Sequence, residues 1–185
     1  RCLAGRYQNR NTALALAIIE ILETKGYRVS EENIIDGLMD TAWPGRMQIM
    51  ARDPLVIVDG AHNPDAARVL ADSITREFCY NRLIAVMGIM ADKDISSIIR
   101  LIYPVADYII CTRPDYYRAA DPGRIMREVA GLGKRGEEVD SLPKAIEKAK
   151  AMASSRDLIL ITGSLFTVGE ALTILDPERY RPDPV

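Results

Sequence analysis

The chain has 185 residues, 48% hydrophobic and 27% charged, which suits one ordinary soluble domain, or one domain with a short piece of another. A formal charge of -2 and a pI near 5.5 give no electrostatic footprint for nucleic acid, although a small anionic ligand stays open. No apolar run approaches the roughly 20 residues needed to cross a bilayer, so no membrane partner is expected. The three cysteines, Cys2, Cys79 and Cys111, form no CxxC pair, and His62 is the single histidine. A zinc site would therefore lack ligands, and the cysteines read as reduced, mostly buried thiols of a cytoplasmic protein. "RCLAGRYQNR" has no initiator Met and no signal-peptide pattern, and reads as a cut made inside a longer protein.

In chain order, "NTALALAIIEILETKG" predicts a helix, with Leu14, Ile18, Ile21 and Leu22 at helical spacing and Gly26 as its stop. "SEENIIDGLMD" predicts a second, capped by Ser30, with Glu31 and Glu32 in the first turn and Ile34, Ile35 and Leu38 on one face. "TAWPGR" breaks the pattern. "RMQIMARDPLVIVDG" predicts two strands around Arg52-Asp53-Pro54, and a helix follows from Asn63. Strands at 83–87, 108–112 and 158–162 alternate with helices marked by Ile95, Ile98, Ile99 and Ile102, by Asp121-Pro122, by Ser141 through Ala153, and by Ser164. A brief strand is expected at Val139, and "DPERYRPDPV" reads as a linker or chain end. The alternation implies α/β architecture: a Rossmann-like, mostly parallel sheet with helices on both faces.

In such a sheet ligands bind outside the carboxyl ends of the strands. The segments expected there, "DGAHNP", "GIMADKD", "TRPDYYRAAD" and "TGS", carry Asp59, His62, Asp92, Lys93, Asp94, Arg113, Arg118 and Ser164. Local alternatives stand beside each. Asp-Gly makes a turn, Asn63 caps a helix and Pro64 fits its first position, so every residue of "DGAHNP" except His62 has a structural use. Asp92 and Asp94 compete for one cap, Ser164 is a good N-cap, and Arg113 reads as a surface charge. "GLGKRG" (131–136) matches G-x-G-x-x-G, but it follows a helix and leads into "EEVD", so a dinucleotide site is rejected. The chain contains no G-x-x-x-x-G-K-[ST].

Six segments in order, "AGRYQNRNTALALA", "WPGRMQIM", "IVDGAHNPDAA", "MGIMADKD", "YYRAAD" and "TGSLFTVGEA", resemble the C-terminal half of the folylpolyglutamate synthase/dihydrofolate synthase family of the Mur ligase superfamily. The combination of "WPGR" and "DGAHNP" at this separation is the specific part. The resemblance implies that residues 1–40 are the last helices of an ATP-binding central domain and that 41–185 are the Mur ligase C-terminal domain. It implies ATP-dependent acid–amino-acid ligation: ATP phosphorylates a folate- or pterin-type carboxylate, and glutamate attacks the acyl phosphate. Mg²⁺ would be held by the missing N-terminal P-loop domain, and this chain would hold no metal. A related Mur-type ligase with another carboxylate substrate, or a non-catalytic binding domain, are the alternatives.

By position, the resemblance makes Asn11, Arg46 and Asp59 ATP-contacting. His62, Ser164 and Arg118 fall on the amino-acid and acyl-phosphate side, and Arg46, His62 and Lys93 among the catalytic groups. A guanidinium fork suits phosphate oxygens, and His62 is read as orienting substrate by hydrogen bonding rather than as sole base. The chain departs from the family in having Tyr7 before Gln8, where relatives usually have His.

Overall fold

The structure, a computed structural model, describes residues 3, 5, 7–133 and 135–181. Its elements run α1 (Gln8–Thr24), α2 (Glu31–Asp40), β1 (Gln48–Arg52), β2 (Leu55–Asp59), α3 (Pro64–Glu77), β3 (Leu83–Met87), α4 (Ile95–Ile102), β4 (Tyr108–Cys111), α5 (Pro122–Gly131), β5 (Gly136–Glu138), α6 (Leu142–Met152), β6 (Leu158–Thr162) and α7 (Leu165–Leu175). The six strands form one sheet in the order β1-β2-β6-β3-β4-β5, with β1 antiparallel to β2 and every other pairing parallel.

The expected two-faced sheet follows from the apolar runs. Every residue of β3 and β6 is buried, because helices cover both sides. The pleat divides each strand: Leu158 and Leu160 of β6 join Leu70, Ile74, Ile98 and Ile125 from α3, α4 and α5. Ile159 and Ile161 join Leu142, Ile146, Val168 and Leu172 from α6 and α7. Each such side chain contributes about 1.5–3 kcal/mol on burial. Parallel pairing brings the carboxyl ends of β2, β6, β3 and β4 to one edge, where the loops leave for opposite faces.

Caps act largely as the sequence implies. Ser30, Asn63, Asp94, Asp121 and Ser164 each accept a backbone N–H in the first turn of the helix that follows. Asp94 takes the cap from Asp92, and Ser141 precedes α6 without a side-chain cap bond. Other details differ from expectation. α1 starts at Gln8 rather than Asn11, with Gln8 N–H on the Gly5 carbonyl. Neither α1 nor α2 buries a residue: Leu14, Ile18 and Ile21 are 63%, 50% and 56% exposed, because nothing among the described residues packs on that stripe. β5 forms on "GEE", ending just before Val139. Cys79 is exposed while Cys111 is buried, and Cys2 lies outside the described residues. The tail is anchored as far as Tyr180, whose hydroxyl accepts from Gln48 Nε2 at 2.8 Å and whose ring packs against the α6/α7 core.

Candidate functional site

The "WPGR" turn and the "DGAHNP" loop are fastened to each other. Asp59 ends β2 with Oδ2 accepting from Met47 N–H and Oδ1 from Ala61 N–H, both at 2.9 Å. Gly60 N–H donates to the Gly45 carbonyl at 2.9 Å. Met47 takes φ +41, a left-handed backbone that costs a non-glycine residue of order 1–3 kcal/mol and is held here by its bond to Asp59. Met47 is fully buried and Arg46 exposed, so the strained turn sinks one side chain and leaves the guanidinium beside it at the rim.

Asp59 is 5% exposed. Burial pushes its carboxyl above the ordinary range, against two backbone N–H donors and the charges of Arg46 and His62. Tyr7 belongs to the same neighbourhood. Its ring packs on the core, and burial, then the negative charge of Asp59, push its hydroxyl up to about 12 while Arg46 opposes. Tyr7 is therefore a neutral hydroxyl near neutral pH.

His62 lies half-buried at the loop crest, with Nδ1 2.9 Å from the Gly60 carbonyl. A carbonyl can only accept, so Nδ1 carries the hydrogen. The neutral ring then presents Nε2 as an acceptor. The neighbours serve the turn: Asn63 Oδ1 accepts Ala66 N–H at 2.8 Å, and Pro64 opens α3.

Ser164 is 1% exposed, and its Oγ accepts Thr167 N–H at 2.9 Å. Its hydrogen can be assigned by counting. Thr167 Oγ1 donates its one hydrogen to the Gly88 carbonyl at 2.7 Å, so in the 2.8 Å contact between the hydroxyls Ser164 is the donor. On the other side of this loop, Thr162 Oγ1 donates to the Asp59 carbonyl at 2.7 Å. The "TGS" segment thus ties together the loops after β2 and β3.

A second cationic corner forms after β3 and β4. Asp92 Oδ2 lies 2.9 Å from Arg118 Nη2 and 3.3 Å from Lys93 Nζ. The two loops are stitched by Ala91 N–H on the Arg118 carbonyl and Ala120 N–H on the Ile89 carbonyl, both 2.8 Å. Arg113 is exposed and borders a groove of about 660 Å³ with Tyr116, Tyr117 and Glu170.

The structure thus brings Arg46, Asp59 and His62 to one corner and Lys93 and Arg118 to another, with buried Ser164 between their loops. Asn11 joins neither: it lies exposed on α1, with Nδ2 on Gln8 Oε1 at 2.7 Å. Sequence reasoning missed Thr162, Thr167 and the Met47 N–H. The first two had a faint signal, hydroxyl residues at the end of a strand and three places after an N-cap. The third is a backbone group and leaves none. Among the described residues no group of three or more His, Cys, Asp or Glu side chains could hold a metal ion, so they do not fit a Mg²⁺ site. Nor is any helix among them long and apolar enough to cross a membrane.

Comparison with known proteins gives a consistent likeness. The family described as "Mur ligase, glutamate ligase domain" matches residues 45–165. The chain is 36% identical over 172 residues to a probable bifunctional folylpolyglutamate synthase/dihydropteroate synthase of Halobacterium salinarum, covering 92% of this chain and 20% of that protein. It is 34% identical over 169 residues to the dihydrofolate synthase/folylpolyglutamate synthase of Escherichia coli, covering 91% and 38%. The structure described as E. coli FolC in complex with DHPP and ADP superposes with a TM-score of 0.84 at 32% identity, covering 97% of this chain and 41% of that one. A Yersinia pestis bifunctional folylpolyglutamate synthase/dihydrofolate synthase with Mn, AMPPNP and L-glutamate bound superposes at 0.79 and 28% identity, covering 94% and 40%. The chain therefore spans well under half the length of these relatives.

Proposed function

Because this chain belongs to the Mur ligase family, its residues 45–165 matching the glutamate ligase domain, we propose that it is the C-terminal part of an ATP-dependent ligase that adds glutamate to a folate- or dihydropteroate-type carboxylate. Residues 41–185 are the C-terminal domain of that enzyme, and residues 1–40 are the closing helices of its ATP-binding domain. The exposed apolar stripe on α1 supports this division. ATP transfers its terminal phosphoryl group to the carboxylate, giving an acyl phosphate and ADP; any Mg²⁺ would be held by the preceding P-loop domain. The glutamate amine attacks the acyl carbon, and phosphate leaves as the amide forms.

The observation that carries the reading is the bond from Met47 N–H to Asp59 Oδ2, which fastens the turn bearing exposed Arg46 to a buried carboxyl at the sheet edge, near enough for the guanidinium charge to act on it. Arg46 would meet phosphate oxygens as charge develops, Asp59 would accept from ribose hydroxyls, and Asn11, on α1 apart from that corner, would meet the adenine end. His62, with Nε2 left as acceptor, would hold the incoming amine. Lys93 and Arg118 would offset the negative charge of phosphate and substrate carboxylates, and domain closure would supply proximity. Ser164 serves this site from behind, through the loops it supports. The protein acts without nucleic acid or membrane, in the cytoplasm.

The test uses the full-length protein that carries this chain. Release of ADP that requires both glutamate and a dihydropteroate or folate acceptor, with a product heavier by one glutamyl residue, supports the proposal. Arg46→Ala and His62→Ala should each lower kcat/KM by about 10²-fold or more. Turnover with another carboxylate acceptor would reassign the substrate, and unchanged turnover in both variants would leave a non-catalytic binding domain.

A further inference from the structure

The rim has two corners with bonds of their own, and the buried hydroxyls of Thr162, Ser164 and Thr167 stand between them. We infer that Thr167 is a positioning residue that sets where the Lys93-bearing loop stands relative to the Asp59–His62 loop. The inference rests on the ligase reading above for its effect on turnover, though not for its geometry.

β6 lies between β2 and β3, with Thr162 in register with Asp59 on one side and Met87 on the other. Beyond that point the chain diverges, and hydroxyls replace the sheet ladder. Thr162 Oγ1 holds the Asp59 carbonyl, while Gly88 N–H donates to the Thr162 carbonyl at 3.1 Å and Thr167 Oγ1 donates to the Gly88 carbonyl at 2.7 Å. Thr167 is the third residue of α7, where a capping box would place a side chain that reaches back to its own cap. Here the side chain reaches outward to a different loop.

The result is a directional chain: Ser164 O–H to Thr167, and Thr167 O–H to the Gly88 carbonyl, all buried. Donors in series polarise one another, and this series ends on the first residue of the loop that carries Lys93. Gly88 is wedged tightly. A Cβ there would fall 2.5 Å from Thr167 Oγ1 and 3.2 Å from Pro114 Cδ. From Gly88 the loop runs through Ile89 and Ala91, fixed to the 118–120 segment, to Lys93 on Asp92. A shift at Gly88 therefore moves Lys93 and Arg118 together, while the Arg46–Asp59 corner keeps its own bonds. Ser164, with its hydrogen spent on Thr167, acts through this chain.

The test is Thr167→Val, which keeps the shape and removes the hydroxyl, paired with Thr167→Ser, which restores it, both in the full-length protein. With ATP, glutamate and a dihydropteroate acceptor, Thr167→Val should lower kcat by about 10- to 100-fold, as expected for a displaced group. The KM for ATP should stay within about twofold, since that corner is untouched. Thr167→Ser should recover most of the rate. Hydrogen exchange on the same proteins should quicken about tenfold or more across 88–94 in the Val variant and not across 55–61. A Val variant with wild-type kcat, a loss shared equally by the KM for ATP, or failure of Ser to rescue overturns the inference, as does unchanged exchange at 88–94. If the wild-type protein forms no amide, the ligase reading falls, and the exchange measurement still decides whether Thr167 holds the loop.

Discussion

Gly163 separates two costs that are usually tangled. It adopts φ +110, and a Cβ built on it would lie 2.7 Å from the Gly88 carbonyl oxygen, 2.9 Å from Ile89 Cγ1 and 3.1 Å from the Gly88 carbonyl carbon. Gly26 adopts a similar φ of +93 with nothing within 4 Å. An alanine at either site meets backbone strain of order 1–3 kcal/mol. At Gly163 it also meets two backbone atoms that cannot rotate away, and overpacking of that kind adds about 1–3 kcal/mol. Gly163→Ala should then cost roughly 2–6 kcal/mol in total. At about 2–4 °C per kcal/mol for a chain of this size, that is a fall in Tm of roughly 4–24 °C. Gly26→Ala should lose only the strain part. Thermal melts and urea titrations of both variants beside wild type measure the difference. Equal losses at the two sites, or a Gly163→Ala melt within about 2 °C of wild type, would refute the claim that the Gly88 backbone blocks this position.

Two titrations carry opposite signs. Asp59 has a carboxyl raised by burial, so its contribution to stability is present below the unfolded value of about 3.9 and is lost as pH rises through its higher folded value. Asp59→Asn removes that loss while keeping one acceptor. Its amide NH2 then faces one of the two backbone N–H donors, so its Tm should lie below wild type at acid pH, with the gap narrowing as pH rises toward 7, and a gap that does not narrow would contradict the assignment. Asp157 is held down to about 2, first by its hydrogen bond from Arg82, with Ser154 N–H also donating to it. Its contribution is present above the unfolded value of about 3.9 and lost as pH falls toward 2. Asp157→Asn should be less stable than wild type near neutrality, with the gap narrowing across that acidic window in urea titrations. A gap independent of pH would show that the ion pair is not its source.

Much of the fold was legible because it rests on short-range rules. Apolar runs such as "LIAVM" and "LILIT" can only be buried strands between helices, and Asn63-Pro64 and Asp121-Pro122 carry their helix starts in two residues. The candidate rim was legible for a related reason. In a parallel sheet every strand's carboxyl end reaches the same edge, so listing the segments after the strands lists the rim. Errors came where partners are distant or absent. Tyr180 is anchored by Gln48, 132 positions away, which no local pattern announces. α1 has the stripe of a packed helix and packs on nothing described, because periodicity reports a face and not what covers it.

By itself, then, the sequence determined the strand and helix content, the two-faced sheet and which segments arrive at the carboxyl edge of its strands, since periodicity, caps and turn residues act within a few positions. Only the tertiary structure decided how those side chains are held. It folded the strained Met47 turn onto Asp59, turned the hydrogen of Ser164 inward to Thr167 and Gly88, and bound Lys93 and Arg118 to one carboxylate. The physical reason is that a hydrogen bond between residues 12 or 79 positions apart depends on distance and direction in space, which the order of residues encodes only through the whole fold.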